Sequence, residues 1–163
     1  MAFALDIAKF VNKCNTNADL TVRRVVMDVG KSLMEYTPVG NPAKWKGWGE
    51  GGAAKNPEHW LVKAGFVGEG YTGGHARANW QLNIGSIPTG VIDGTDKEGR
   101  RTLATAYGRI PKKAAGKVFF WGNNVPYAQR LEDGYSRQAP HGMVGLTVRE
   151  FQKFIRNALR ELP

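Results

Sequence analysis

A single cysteine, Cys14, in 163 residues excludes an intramolecular disulfide and any thiolate-rich metal site. That scarcity fits folding in a reducing cytoplasm. Cys14 also falls on an apolar helical stripe, where a thiol behaves as a small hydrophobe. Histidine is nearly as rare. His59, His75 and His141 stand far apart, with no Cys, Asp or Glu at ligand spacing, so neither a zinc site nor a facial triad is signalled. Long apolar runs are missing too, none approaching the ~20 residues of a membrane-spanning helix. The opening MAFALDIAKF carries Asp6 and Lys9 among its apolar residues and no basic leader, unlike a secretory signal. The expectation is a chain made and folded in the cytosol, with no membrane partner. Acidic residues run short as well: 14 Asp plus Glu face 23 Lys plus Arg, a formal charge of +9 that favours polyanions or acidic protein surfaces as neighbours.

The usual catalytic signatures are also lacking. No Gly-x-Ser-x-Gly elbow occurs, and Ser136, beside Arg137, has no sequence-local base. Glu132 and Asp133 are adjacent, and in a strand they would point to opposite faces, unable to share a proton or a metal. Gly68-Glu69-Gly70-Tyr71-Thr72-Gly73 spells G-x-G-x-x-G, but the residues after it are patterned as strand and no βαβ succession surrounds it, which argues against a dinucleotide site. The reading is of a non-enzyme that uses no cofactor and no metal.

What is present is a hydrophobic fraction of 42% and a charged fraction of 23%, ordinary for one soluble domain over residues 1–163. Phe3, Ile7, Phe10, Cys14, Ala18, Val22, Val25, Val29 and Leu33 recur at three- or four-residue steps, predicting one long helix over 1–36. Asn15-Thr16-Asn17 could split it, and Thr37-Pro38 must end it, because Pro38 has no amide donor and pushes Thr37 out of helical geometry. Residues 40–74 are rich in Gly, Lys and Trp and read as an extended loop. Its Trp45, Trp48 and Trp60 suit an interface anchor, a nucleic-acid stacking surface or a satellite core under the loop.

Alternation of Ala78, Trp80, Leu82 and Ile84 with Asn79, Gln81 and Asn83 predicts a half-buried strand over 78–84. Residues 95–107 read as a helix with Leu103, Ala104 and Tyr107 on one side and a basic opposite side. KVFFW, 117–121, reads as a central strand. Thr147-Val148-Arg149-Glu150 matches a capping box and predicts a C-terminal helix whose Val148, Phe151, Ile155 and Leu159 pack on the sheet. The fold class is α+β: a mostly antiparallel sheet against a long N-terminal helix and a C-terminal helix. Lys97, Arg100, Arg101, Arg109, Lys112, Lys113 and Lys117 make the middle of the chain basic. They could meet DNA phosphates or an acidic protein, or form a solvated face.

Three blocks stand in order: a long helix ending in Thr37-Pro38-Val39-Gly40, then Gly73-Gly74-His75-Ala76-Arg77-Ala78-Asn79-Trp80, then NNVPYAQRLEDGYSRQAPHGM over 123–143. Their order and spacing resemble the tail-completion, or head–tail joining, family of tailed phages. In the last block Asn124, Tyr127, Ala128, Leu131, Glu132, Gly134, Pro140 and Gly142 match the family's pattern, and the segment around Trp45 resembles a subgroup's.

The resemblance implies a structural virion protein of the neck that forms a hexameric ring around the DNA channel. Its neighbours would be the portal or head-completion protein on one side and tail terminator, tube or sheath proteins on the other. Trp45, Trp48, Trp60, Arg77, Trp80, Tyr127, Glu132 and Arg137 are then candidate assembly residues. Arg100, Arg101, Lys112 and Lys113 are candidate contacts to genomic DNA or an acidic surface. Within the last block Val125-Pro126 should turn the chain, Gly134 should permit a positive φ, and Glu132 should either pair with Arg77 or cap a turn. The competing class is a basic nucleic-acid-binding module.

Overall fold

The computed structural model describes residues 2–41 and 72–163. Among these, α1 (Ala2–Tyr36) is a single helix of 35 residues, about 50 Å long at ~1.5 Å per residue. Asn15-Thr16-Asn17 does not split it. All three residues stay helical, and the Thr21 hydroxyl donates back to the Asn17 carbonyl at 2.8 Å. It ends where the sequence requires: the Thr37 amide and hydroxyl both donate to the Leu33 carbonyl, at 3.0 and 2.5 Å, and Pro38 blocks another turn.

The remaining elements are α2 (His75–Ala78), β1 (Trp80–Ile84), α3 (Arg100–Gly108), β2 (Phe119–Asn123), α4 (Ala128–Glu132) and α5 (Val144–Arg160). The two strands pair antiparallel, Leu82 opposite Trp121. The fold is thus α+β as the patterning predicts, with a sheet of only two strands among the described residues. KVFFW is displaced accordingly: the strand begins at Phe119 and runs on to Asn123, and with one neighbour it is not a central strand. The stretch read as strand from Ala78 begins instead as α2, since Gly74, at φ 95, turns the chain in the left-handed region before it. The helix expected over 95–107 begins only at Arg100; the preceding residues loop so that Asp96 Oδ2 accepts from the Thr102 amide at 2.8 Å and hydroxyl at 2.9 Å. Leu103 and Tyr107 pack against the core clusters as expected, beside the buried Thr102 and Ala106, while Ala104 is exposed.

Two apolar clusters hold the body together. One gathers Val26, Leu82, Ala106, Ile110 and Ala114; the other Leu33, Met34, Trp80 and Met143; Trp121 packs against both. Gly30 is what admits Trp121. A Cβ on that helical glycine would run into the indole, which also donates from Nε1 to the Val26 carbonyl at 3.2 Å.

The C-terminal helix packs chiefly on α1, not on the sheet. The pair runs antiparallel: Ser32 Oγ bonds Thr147 Oγ1 at 2.9 Å and Glu150 Oε2 at 3.1 Å, and Arg24 pairs with Glu161 at the far end. Thr147 and Glu150 therefore serve the helix pair and do not form a capping box. Thr147, Phe154 and Ala158 face inward, whereas Val148, Phe151 and Leu159, expected on the sheet, are exposed. Among the described residues no helix is long and apolar enough to cross a membrane.

Candidate assembly surface

The three sequence blocks meet in one junction at the C-terminal end of α1. Thr37 is its hub, being fully buried. Its hydroxyl accepts from Trp80 Nε1 at 2.7 Å while donating back to Leu33, and its carbonyl accepts from Arg77 Nε at 2.8 Å. Arg77 Nη1 reaches on to the Lys97 carbonyl at 2.6 Å. Burial lowers the Arg77 pKa, with Glu98 and Asp96 opposing that shift. Arg77 is a brace between backbone segments.

The second and third blocks are joined by His75 Nδ1 and the Tyr127 hydroxyl, 2.8 Å apart, and by Asn123 Nδ2 donating to the Ala76 carbonyl at 2.8 Å. Burial lowers the His75 pKa, so the ring is held neutral and can exchange one hydrogen bond with the phenol. Gln138 closes the circuit from the third block to the first: its Nε2 donates to the Val39 carbonyl at 2.9 Å and its Oε1 accepts from the Val39 amide at 3.3 Å.

Glu132 does not pair with Arg77. Its carboxylate sits at the N-terminus of α5, where Oε2 accepts from the Met143 and Val144 amides, each at 2.8 Å, and Oε1 from the Gly145 amide at 2.9 Å. A helix start leaves such N–H groups without intrahelical partners, and a negative charge there also meets the positive end of the helix dipole. Burial pushes the Glu132 carboxyl up, but the three N–H donors together outweigh it, and the net displacement is downward. Gly142, at φ 76, makes the approach possible, because a Cβ there would strike Glu132 itself. Gly134 takes φ 79, the reversal its position predicts.

These contacts redistribute the nominated assembly residues. Trp80 is 5% exposed and belongs to the core, so it is no available anchor. Arg77 and Glu132 are committed within the chain, Tyr127 is half-buried, and Arg137 is exposed. Trp45, Trp48 and Trp60 lie outside the described residues. The basic candidates fall into two groups. Arg100 and Arg101 open α3, Arg101 donating to the Thr95 carbonyl at 3.0 Å. Lys112 and Lys113 lie past its end, beside Arg23, in an open depression of about 390 Å³ that Thr16, Asp19 and Leu20 also line. Arg23 itself ties down this loop through the Ile110 and Pro111 carbonyls at 3.1 and 2.8 Å, and Asp19 does so through the Ala114 and Ala115 amides at 2.7 and 2.8 Å.

Two apolar surfaces were not nominated from the sequence, because each read as core. The first is the N-terminal half of α1, where residues 5–16 are all exposed, Phe10 at 68%. Cys14, expected to be packed, lies exposed there. The second is the outer stripe of α5: Val144, Val148, Phe151 and Leu159, with Val148 at 65%. Among the described residues no group of three or more His, Cys, Asp or Glu side chains gathers as a metal site. No family model matches the chain, and neither a curated protein nor a solved structure similar to it was found.

Proposed function

We propose that the chain is a structural protein of a tailed-phage neck, a tail-completion protein rather than an enzyme. In this reading it assembles in the host cytoplasm and stays in the virion as a hexameric ring around the DNA channel. The ring joins the portal or head-completion protein to the tail terminator, tube or sheath. One observation carries the reading: the blocks that resemble the family, 37–40, 73–80 and 123–143, converge in one hydrogen-bonded junction centred on Thr37. A ring subunit needs a rigid body and unpaired apolar faces for its neighbours. The junction supplies the first, and the exposed stripes of α1 and α5 are suited to the second. Imaging purified tailed particles that carry a tagged copy of this chain tests it. Density in a ring between head and tail is expected, and recovery of the chain only as free protein outside particles would overturn it.

A second reading, a basic nucleic-acid-binding module, draws on Lys112 and Lys113 flanking the depression beside Arg23, and on the net charge of +9. It requires that affinity for bare duplex DNA fall about 10³-fold or more between roughly 50 and 200 mM salt, as expected for half a dozen or more phosphate contacts. An affinity that barely responds to salt would exclude it.

A further inference from the structure

We infer that the exposed N-terminal half of α1 is an arm that docks on the outer apolar stripe of α5 in a second copy of this chain. Three observations point there. The first is continuity. Val22, Val26, Val29 and Leu33 of α1 pack in the core clusters, and α5 lies against the adjoining side of the helix, through Ser32. Ile7, Phe10, Val11 and Cys14 continue the repeat toward the N-terminus, and the drift of ~20° per heptad on a straight helix turns them toward the side that meets α5. The internal partner runs out first: α5 ends at Arg160, and Glu161 stands beside Arg24. Beyond that point the same kind of surface continues and, among the described residues, nothing covers it from residue 5 to residue 16.

The second observation is a match of length and chemistry. Residues 5–16 span ~18 Å, and the Val144-to-Leu159 stripe spans ~24 Å, at ~1.5 Å per residue. Both are rows of medium and large apolar side chains at three- and four-residue steps, the arrangement in which two helices interdigitate. The third is that arm and stripe are different surfaces of one molecule. Pairing arm with arm would leave the α5 stripe uncovered, whereas arm on α5 covers both and can be repeated from copy to copy. Such a heterologous contact closes into a ring when its rotation permits.

Area sets the strength. A helix segment ~18 Å long and ~11 Å across has ~600 Å² of lateral surface, and burying half of it gives ~300 Å² per partner, below the ~800 Å² of a standard interface. One contact alone is therefore weak, and stable assembly depends on each copy giving one arm and receiving another. The contact is also apolar on a cationic chain, so salt should strengthen it by screening repulsion, the reverse of its effect on DNA binding. The proposal rests on the ring reading and deepens it by naming one of the ring's contacts.

Cys14 supplies the test, because it lies on the arm and is the chain's only thiol. In one copy it is far from Val148, which sits near Ser32 through Thr147, about 27 Å along α1 at ~1.5 Å per residue. A disulfide from Cys14 to a cysteine introduced by Val148→Cys can therefore form only between copies, since bridged Cα atoms lie within ~7 Å. Full-length Val148→Cys protein, oxidised at rising concentration, is expected to give a dimer band with that linkage by peptide mass mapping. Its yield should exceed that from an exposed control, Lys117→Cys, and rise with salt. Phe10→Glu should weaken self-association at least tenfold in sedimentation while leaving monomer stability unchanged.

A Cys14-to-Cys14 bridge as the main product, or a yield no higher than the control's, would overturn the inference. So would a Phe10→Glu variant destabilised independently of protein concentration, since its own chain would then cover the arm. The linkage without a neck location would remove the neck reading and leave this contact standing. A neck ring without the linkage would do the reverse.

Discussion

The two halves of α1 carry one apolar repeat and meet different surroundings. Val22, Val26, Val29 and Leu33 lie against α3, the sheet and Met143, whereas Leu5, Ile7, Phe10 and Val11 are exposed on the same helix. The repeat reports a face that needs a partner and says nothing about where the partner comes from. An isolated helix of about 12 residues is marginal in water, so the arm draws its helicity from the packed half beside it and from whatever covers it.

The sharpest way to break this comparison is to truncate one residue in each half. Leu33→Ala removes a side chain 3% exposed and should cost about 2–5 kcal/mol in urea unfolding. Gly30→Ala tests the packed half from the opposite direction, by overfilling it. The added methyl meets Trp121, and the strain should cost about 1–3 kcal/mol, exceeding the ~1 kcal/mol that alanine offers in a helix interior, with loss of the native indole fluorescence environment.

Glu132→Gln loosens α5, the partner that the packed half has and the arm lacks within its own copy, and should cost about 1 kcal/mol. Its sign with pH is fixed by the lowered carboxyl. The stabilisation is present above the ordinary carboxylate range and is lost as pH falls through the lower folded-state value, so wild type and variant should converge in acid unfolding curves only below the ordinary carboxylate range. The smallest effect belongs to Phe10→Ala, within about 0.5 kcal/mol for the dilute monomer, because an exposed side chain has little packing to lose. A large loss there would erase the contrast between the halves.

Much of the fold was legible locally. The unbroken α1, its stop at Thr37-Pro38, the antiparallel strand from Trp80 and the reversal at Gly134 all follow from periodicity, proline sterics and turn chemistry. The site was less legible, because its parts are polar contacts between distant segments. Trp80 looked like an anchor and is core, since Thr37 gives its indole N–H a buried acceptor. Glu132 looked like a partner for Arg77 and caps α5, although Thr147-Val148-Arg149-Glu150 offered a locally plausible capping box a few residues on. That box lost because Ser32 of α1 engages Thr147 and Glu150 from across the helix pair. A local signature cannot anticipate a hydroxyl more than a hundred residues away.

By itself the sequence determined where the chain could be helical or extended, and that one side of α1 and one side of α5 were apolar, because backbone sterics and side-chain period act over a few residues. Only the tertiary structure decided which of those apolar positions became core. Burial needs a second surface at contact distance, and α5 meets α1 along only part of its length. The arm's Ile7, Phe10 and Val11 therefore stay exposed while Val26 and Leu33, on the same helix, are closed in.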